Sequence, residues 1–476
     1  MDVVLGMTPD HEQAVVLGGV EATKHKLLCG VTGVGKSKLL ASIALQIMNQ
    51  RGGMCVLDPH GDLCDDILGV LYDEEFFADE RAYKRLYYLD FTRTDRFVPF
   101  NVLSQPYGAH AIAASILEAA KRAWPSLSGG SAPALENLML YGCFALTENR
   151  LPLTKLPKLL TDATWRGSLL RQVSDSQTLD FFARLDEAGR RAGALSDSTL
   201  RRVSLLSFDP ALRYSLGQTG NILRMRELMD QGVCVLADLK GLPAETQRFI
   251  GALLSISIEE AALSRADIPE ESRRPYIYIM DEFSQFSARS AESFERILAL
   301  CRKYSLSLLM ACQTLGQVPT ELRSSLQNTT LITLRLGADD SSWAAERLVT
   351  FDPERLSYSA TGRPRFMSAS EQTAEVEREL MSLPPRRAML RVGEQTIRFE
   401  TLGVRKPKAT REQLAAVKER YASLLLTPRA KIEEQVKHVD ERRPQEGTQH
   451  STGAKVIPLS PRRRVPLYKK DQDPTG

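Results

Sequence analysis

The chain has 476 residues, 43% of them hydrophobic and 25% charged, with a mean hydropathy of -0.22, which excludes a small stapled module, a fibrous repeat and a wholly disordered chain. The formal charge is only +3, so the mean charge does not by itself mark a nucleic-acid binder. No apolar run approaches the roughly 18 residues of a membrane span, and the first residues, MDVVLGMTPDHEQ, lack the basic and apolar segments of a signal peptide.

In chain order, HKLLCGV (25–31) reads as a buried strand and Lys36 to Asn49 as a helix; GMCVLDP (53–59) and RLYYLDF (85–91) read as further strands. From about Gly108 to Asp230 the periodicity is helical, with loop punctuation at PSLSGGSAP and FDPAL. Strands resume at VCVLADL (233–239), YIYIMDEF (276–283), SLLMACQT (307–314) and TLITLRLG (330–337), with a helix over Ala244 to Ser264. RAMLRV (387–392) and TIRFETL (396–402), separated by Gly393, Glu394 and Gln395, predict a β-hairpin. A helix follows from about Thr410, with Leu414, Val417, Tyr421, Leu424 and Leu425 on one stripe.

From Thr427 onward the sequence loses periodicity and collects Pro, Gln, Gly and charge, which predicts a disordered tail over 427–476. Residues 405–476 hold 17 Lys and Arg against 9 Asp and Glu, so this end carries +8 and residues 1–404 carry -5. The alternation predicts an α/β fold with a mostly parallel sheet, interrupted by an all-α insertion. The expected division is an α/β core of 1–107 and 231–404, an all-α insertion of 108–230, a C-terminal helix of 405–426 and a basic tail.

The seven cysteines (Cys29, Cys55, Cys64, Cys143, Cys234, Cys301, Cys312) form no CxxC pair and several sit in apolar runs, as expected of small buried hydrophobes in a reducing cytosol. The six histidines show no ligand spacing, so no structural metal is expected.

Gly30-Val31-Thr32-Gly33-Val34-Gly35-Lys36-Ser37 fits GxxxxGK[ST] between an apolar strand and a helix. Glycines let N–H groups turn inward around phosphate and the helix N-terminus adds its positive dipole end. Lys36 would reach the β- and γ-phosphates of ATP, and the Ser37 hydroxyl would ligate Mg²⁺. YIYIM ends in Asp281 and Glu282; Asp281 would hold Mg²⁺ and Glu282 would polarise the attacking water as general base. Glu282 could instead merely begin the next helix. Gln313, at the end of SLLMACQT, stands where an amide can sense the γ-phosphate. In Asp58-Pro59-His60-Gly61-Asp62, Asp58 is a candidate nucleotide contact, and Asp62 could simply cap the following helix.

Together, LLCGVTGVGKSKLL, CVLDPHGDL, IYIMDEF and LMACQT resemble the FtsK/HerA group of RecA-like motor ATPases, and within it the coupling ATPases of type IV conjugative DNA transfer. The resemblance runs from about Leu17 to Gly403 and implies a RecA-like P-loop core, ATP and Mg²⁺ as ligands, DNA as cargo and a homohexameric ring with ATP between subunits. It also implies an arginine donated across that interface: Arg302, eleven residues before Gln313, is the first candidate and Arg323 the second. Only 29 residues precede Gly30 and none form a span, so the expected setting is cytoplasmic, with recruitment to the inner membrane left to a relaxase or the secretion machinery. The turn with Lys240 and Gly241 and the basic tail are candidate DNA contacts, and an ordinary turn cation and a solubilising tail are the plainer readings. Three alternatives stay open: a protein-exporting ATPase of the same fold, a HerA-like repair or defence motor, and a nucleotide-gated adaptor that hardly turns over.

Overall fold

Six short strands lie in the first hundred residues: β1 (Val3–Met7), β2 (Ala14–Leu17), β3 (Lys26–Cys29), β4 (Gly53–Asp58), β5 (Leu86–Asp90) and a two-residue β6 (Arg96–Phe97). Later come β7 (Cys234–Asp238), β8 (Tyr276–Met280), β9 (Leu306–Cys312), β10 (Thr330–Thr333), β11 (Leu356–Tyr358), β12 (Pro364–Phe366), β13 (Arg387–Val392), β14 (Gln395–Thr401) and β15 (Thr427–Pro428). The computed structural model describes residues 2–123, 133–187, 203–287, 291–358, 363–393 and 395–441.

Eleven strands form one sheet in the order β2-β1-β14-β13-β10-β3-β9-β8-β4-β7-β5. From β10 to β5 every pairing is parallel, and these are the seven strands expected as continuous apolar runs. Each is covered on both faces, which is why the runs do not alternate. One face is closed by helices Lys36–Asn49, Asp62–Asp73 and Arg411–Leu425 through Leu39, Leu40, Ile43, Ile67, Leu68, Val417 and Tyr421. The other is closed by helix Ala244–Ser264 and the helices beyond it.

The hairpin of β13 and β14 forms as expected, but it is not a separate appendage: β13 pairs antiparallel with β10, and β14 with β1. The β1–β2 hairpin, with strands of five and four residues, was not expected; it forms the antiparallel edge of the sheet, outside the run of parallel strands. Gly6 in β1 is required by close approach, since a Cβ there would lie 1.9 Å from the Glu400 carbonyl oxygen on β14.

Between β6 and β7, every regular element among the described residues is helical, beginning with Ala109–Ala123 and ending with Met225–Gln231. Its apolar side chains join the sheet's own core, so Leu57 and Phe249 belong to one cluster with Ile112, Met139 and Phe182. Helix Ala109–Ala123 lies along helix Ala244–Ser264, where buried Arg122 faces Glu259 at 3.8 Å.

Two expectations are corrected. Leu424 points outward at 47% exposure, while Val417 and Tyr421 carry the buried stripe of helix Arg411–Leu425. The tail is not disordered from Thr427: Thr427 and Pro428 pair with β6, and helix Arg429–Glu441 follows. The sequence there keeps one apolar anchor, Ile432, which is fully buried against Phe97 and Tyr214, and the Tyr214 hydroxyl donates to Glu433 at 2.8 Å. The remainder of the tail, 442–476, with its RRR and KK groups, lies outside the described residues.

Candidate functional site

The site is built at the carboxyl ends of β3, β9 and β8, which are adjacent in that order. β3 leads straight into the glycine-rich loop, and helix Lys36–Asn49 starts from it. Gly33 and Gly35 adopt φ of +79° and +111°, conformations that a side chain would strain, and a Cβ on Gly33 would meet nothing within 4 Å. The first-turn N–H groups of that helix have no intrahelical acceptor, and the dipole adds partial positive charge there. This is an anion cradle.

The loop is tied at several points. Gly30 N–H donates to Cys312 O at 3.3 Å, Val31 N–H to Arg335 O at 2.9 Å, and Val34 O accepts from Arg386 N–H at 3.1 Å. Lys36 is buried, and its ammonium donates to Gly30 O at 2.7 Å and Val31 O at 3.1 Å, so it is held beside the loop backbone. The Ser37 hydroxyl donates to Asp281 Oδ2 at 3.3 Å.

Asp281 extends β8 by one residue, donating its N–H to Leu57 O at 3.2 Å. Its carboxyl is pushed up to about 6, first by burial and then by the negative charges of Asp58 and Glu282. Such a group gains from a cation. The residues fit Mg²⁺, a hard ion that takes oxygen ligands and commonly uses only one or two carboxylates with the phosphates of its substrate. Asp281 and the Ser37 hydroxyl would supply such oxygens, and among the described residues no cluster of three or more His, Cys, Asp or Glu side chains could hold a metal without such help.

Glu282 lies next to Asp281 with φ of +51°, a left-handed conformation uncommon for a non-glycine residue and one that cost elsewhere must sustain. Its backbone N–H donates to Asp281 Oδ1 at 3.1 Å. Because β9 lies between β3 and β8, Gln313 at its end reaches both neighbours. Its amide donates to Glu282 Oε1 at 2.7 Å, and its Oε1 accepts from the Thr32 hydroxyl at 3.2 Å. The loop and the two acidic residues are thus joined by one polar chain: Thr32, Gln313, Glu282.

Asp58 has a different place from the one expected. It is fully buried, and its oxygens accept from the N–H groups of His60 at 3.0 Å, Gly61 at 2.8 Å and Cys64 at 2.9 Å. These bonds shape the turn and cap helix Asp62–Asp73, a role that the sequence left open for Asp62, which is exposed and 3.5 Å from Lys240. Asp58 acts on the site through its charge on Asp281. Lys240 and Gly241 occupy the turn after β7, at the same end of the sheet as the loop.

Arg302 precedes β9 whereas Gln313 follows it, so seven residues, about 23 Å of strand, separate it from the loop end of its own sheet. It is exposed and lines a cavity of about 710 Å³ with Lys24, Arg347 and Arg391, and it has no ion-pair partner among the described residues. Arg323, on helix Thr320–Ser325 after β9, donates to Val318 O at 3.2 Å. Sequence reasoning missed Arg335 and Arg386, which anchor the loop through backbone bonds; a lone arginine outside a motif carries no signal. All seven cysteines are buried and free.

Residues 3–80 match the family described as Helicase HerA, central domain, and residues 218–381 match Type IV secretory system Conjugative DNA transfer. The chain therefore carries a HerA-type segment followed by a conjugative DNA-transfer segment. No curated protein matches the sequence. Among solved structures, the bacterial conjugative coupling protein TrwBdeltaN70 in its unbound monoclinic form is 18% identical, with a TM-score of 0.59 over 85% of this chain and 91% of that one. The plasmid coupling protein TrwB in complex with ADP and Mg²⁺ is 17% identical, with a TM-score of 0.53 over 82% and 87%. VirB4 of Thermoanaerobacter pseudethanolicus is 13% identical, with a TM-score of 0.51 over 87% and 97%. These likenesses establish the fold, the RecA-like P-loop architecture of the sequence expectation.

Proposed function

We propose that this chain is an ATP-driven coupling ATPase that moves DNA for conjugative, type IV secretion transfer, hydrolysing ATP between the subunits of a homohexameric ring. The observation that carries the reading is the Thr32–Gln313–Glu282 chain beside the Ser37–Asp281 pair, which puts a phosphate cradle, an ion-holding carboxylate and a candidate base in one place. The match of residues 218–381 to the DNA-transfer family favours DNA over protein as cargo.

The loop N–H groups bind the phosphates, and Lys36 exchanges its bonds to Gly30 O and Val31 O for phosphate oxygens. Mg²⁺, when bound, neutralises charge developing on the phosphate oxygens; Ser37 and Asp281 would hold it. Glu282 accepts the proton of the attacking water. Gln313 fixes the orientation of that carboxylate and links it to Thr32, so a change at the loop is felt at the base. Arg302 serves the nucleotide of a neighbouring subunit, since its own lies a strand's length away.

Residues 108–230 are taken as the all-α insertion and Lys240 with Gly241 as a DNA-facing turn. No described helix is long and apolar enough to cross a membrane. Attachment at the inner membrane, through a relaxase or the secretion machinery, belongs to the proposal. ATP hydrolysis by the purified protein with and without DNA tests it. Several-fold stimulation by DNA is expected, and a rate indifferent to both single- and double-stranded DNA contradicts it.

A further inference from the structure

Arg386 stands immediately before β13, in the left-handed region at φ of +68°. For a long side chain this conformation is unfavourable and persists only where surrounding structure enforces it. Three bonds do so here. Its N–H donates to the loop carbonyl of Val34 at 3.1 Å, its carbonyl accepts from Thr401 N–H at 2.8 Å, and its guanidinium donates to Thr401 O at 3.2 Å. The side chain lies against the loop: a Cβ on Gly35 would meet a single atom within 4 Å, Arg386 Cγ at 3.8 Å.

The charge of this guanidinium is not needed where it rests. It is 53% exposed and 3.2 Å from Glu400 Oε1, yet the same carboxylate has Arg387 at 3.3 Å and His11 at 3.9 Å. Half-exposed and shared, the pair is worth little to stability. An arginine that can leave Glu400 without stranding it, anchored by its backbone to an anion cradle, is poised to bind an anion in that cradle.

Sheet order says which part of the nucleotide it reaches. Glu282 and Gln313 approach the loop from the β9 and β8 side of β3, whereas Arg386 approaches from the β10 and β13 side. It therefore stands across the loop from the hydrolysis end. We infer that Arg386 is a nucleotide-binding residue that leaves Glu400 to contact the α- or β-phosphate of a nucleoside di- or triphosphate. This rests on the reading of Gly30–Ser37 as a nucleotide site. Because the contact is away from the γ-phosphate, it contributes equally to ATP and ADP, and appears in KM more than in kcat.

The experiment is titration of fluorescent mant-ATP and mant-ADP, each with Mg²⁺, into the full-length protein and into Arg386→Ala, Glu400→Gln and Lys36→Ala, with unfolding temperatures recorded for each. Arg386→Ala is expected to raise Kd for both nucleotides by about tenfold, as for a lost charge-assisted hydrogen bond. In hydrolysis it raises KM while kcat stays within about threefold. Glu400→Gln, which frees the guanidinium, leaves Kd unchanged or lowers it. Wild-type binding by Arg386→Ala beside lost binding by Lys36→Ala overturns this inference and leaves the loop reading intact. Equal weakening by Arg386→Ala and Glu400→Gln with lowered unfolding temperatures overturns it in favour of a structural role. Wild-type binding by Lys36→Ala overturns the loop reading itself.

Discussion

Glu260 makes the seam between the helical segment and the sheet measurable. It lies on helix Ala244–Ser264, which leads from β7 into β8, and its carboxylate accepts a hydrogen bond from the Ser115 hydroxyl across the contact with helix Ala109–Ala123. Burial among Ile112, Ile116, Leu253 and Ile256 pushes its carboxyl from 4.5 up to about 7; the charge of Glu259 pushes the same way, while Ser115 and Arg296 oppose it. The folded state thus holds a proton that the unfolded chain releases near pH 4.5. The stability gained is fully present below that pH and is lost as pH rises through about 7.

The whole displacement is worth about 3 kcal/mol, of which about 2 falls between pH 5.5 and pH 8. Glu260→Gln keeps a polar partner for Ser115 and removes the titration. Urea unfolding of wild type and variant at the two pH values should therefore show the variant gaining on the wild type by about 2 kcal/mol at the higher pH, with titrating groups remote from Glu260 cancelling in the difference. A stability difference that does not change with pH, or a wild type that gains on the variant toward pH 8, refutes the placement of this carboxyl in a desolvated seam.

Gln313→Ala removes a hydrogen bond to a charged carboxylate, an interaction of about 1.5–3 kcal/mol. Turnover should fall about tenfold or more while mant-ATP binding stays near wild type; unchanged turnover would show that Glu282 needs no such tether. Mixing Arg302→Ala subunits with Lys36→Ala subunits should restore part of the hydrolysis that each lacks alone. No recovery, with Arg302→Ala alone fully active, discards Arg302 as the residue donated in trans.

Legibility in the sequence followed burial. The seven parallel strands could be read because burial on both faces makes them continuous apolar runs, as in CVLAD and YIYIM. Gly33 and Gly35 could be read because their positive φ leaves few choices of residue, and Lys36 because it follows them at the start of a helix. The β1–β2 hairpin escaped because its place at the sheet edge is set by β14, where Gly6 pairs with Thr401 from the far end of the chain. Asp58 misled because a strand-end aspartate looks the same whether it faces a ligand or its own turn, and only the N–H groups of His60, Gly61 and Cys64 decide. The helix from Arg429 was hidden in a polar stretch, where Ile432 alone supplies the fully buried anchor. Arg386 belongs to no motif, and its position over Gly35 exists only after β13 has paired with β10.

In the proposed function, DNA drives turnover at a base held by Gln313. This coupling is tested most directly by measuring ATP hydrolysis with and without DNA in the wild type and in Glu282→Gln. The expected result is a wild-type rate raised several-fold by DNA, and a variant that binds Mg²⁺ and mant-ATP as the wild type does but turns over at least a hundredfold more slowly whether or not DNA is present. A variant that hydrolyses ATP at the wild-type rate, or a wild type whose rate ignores DNA, contradicts it.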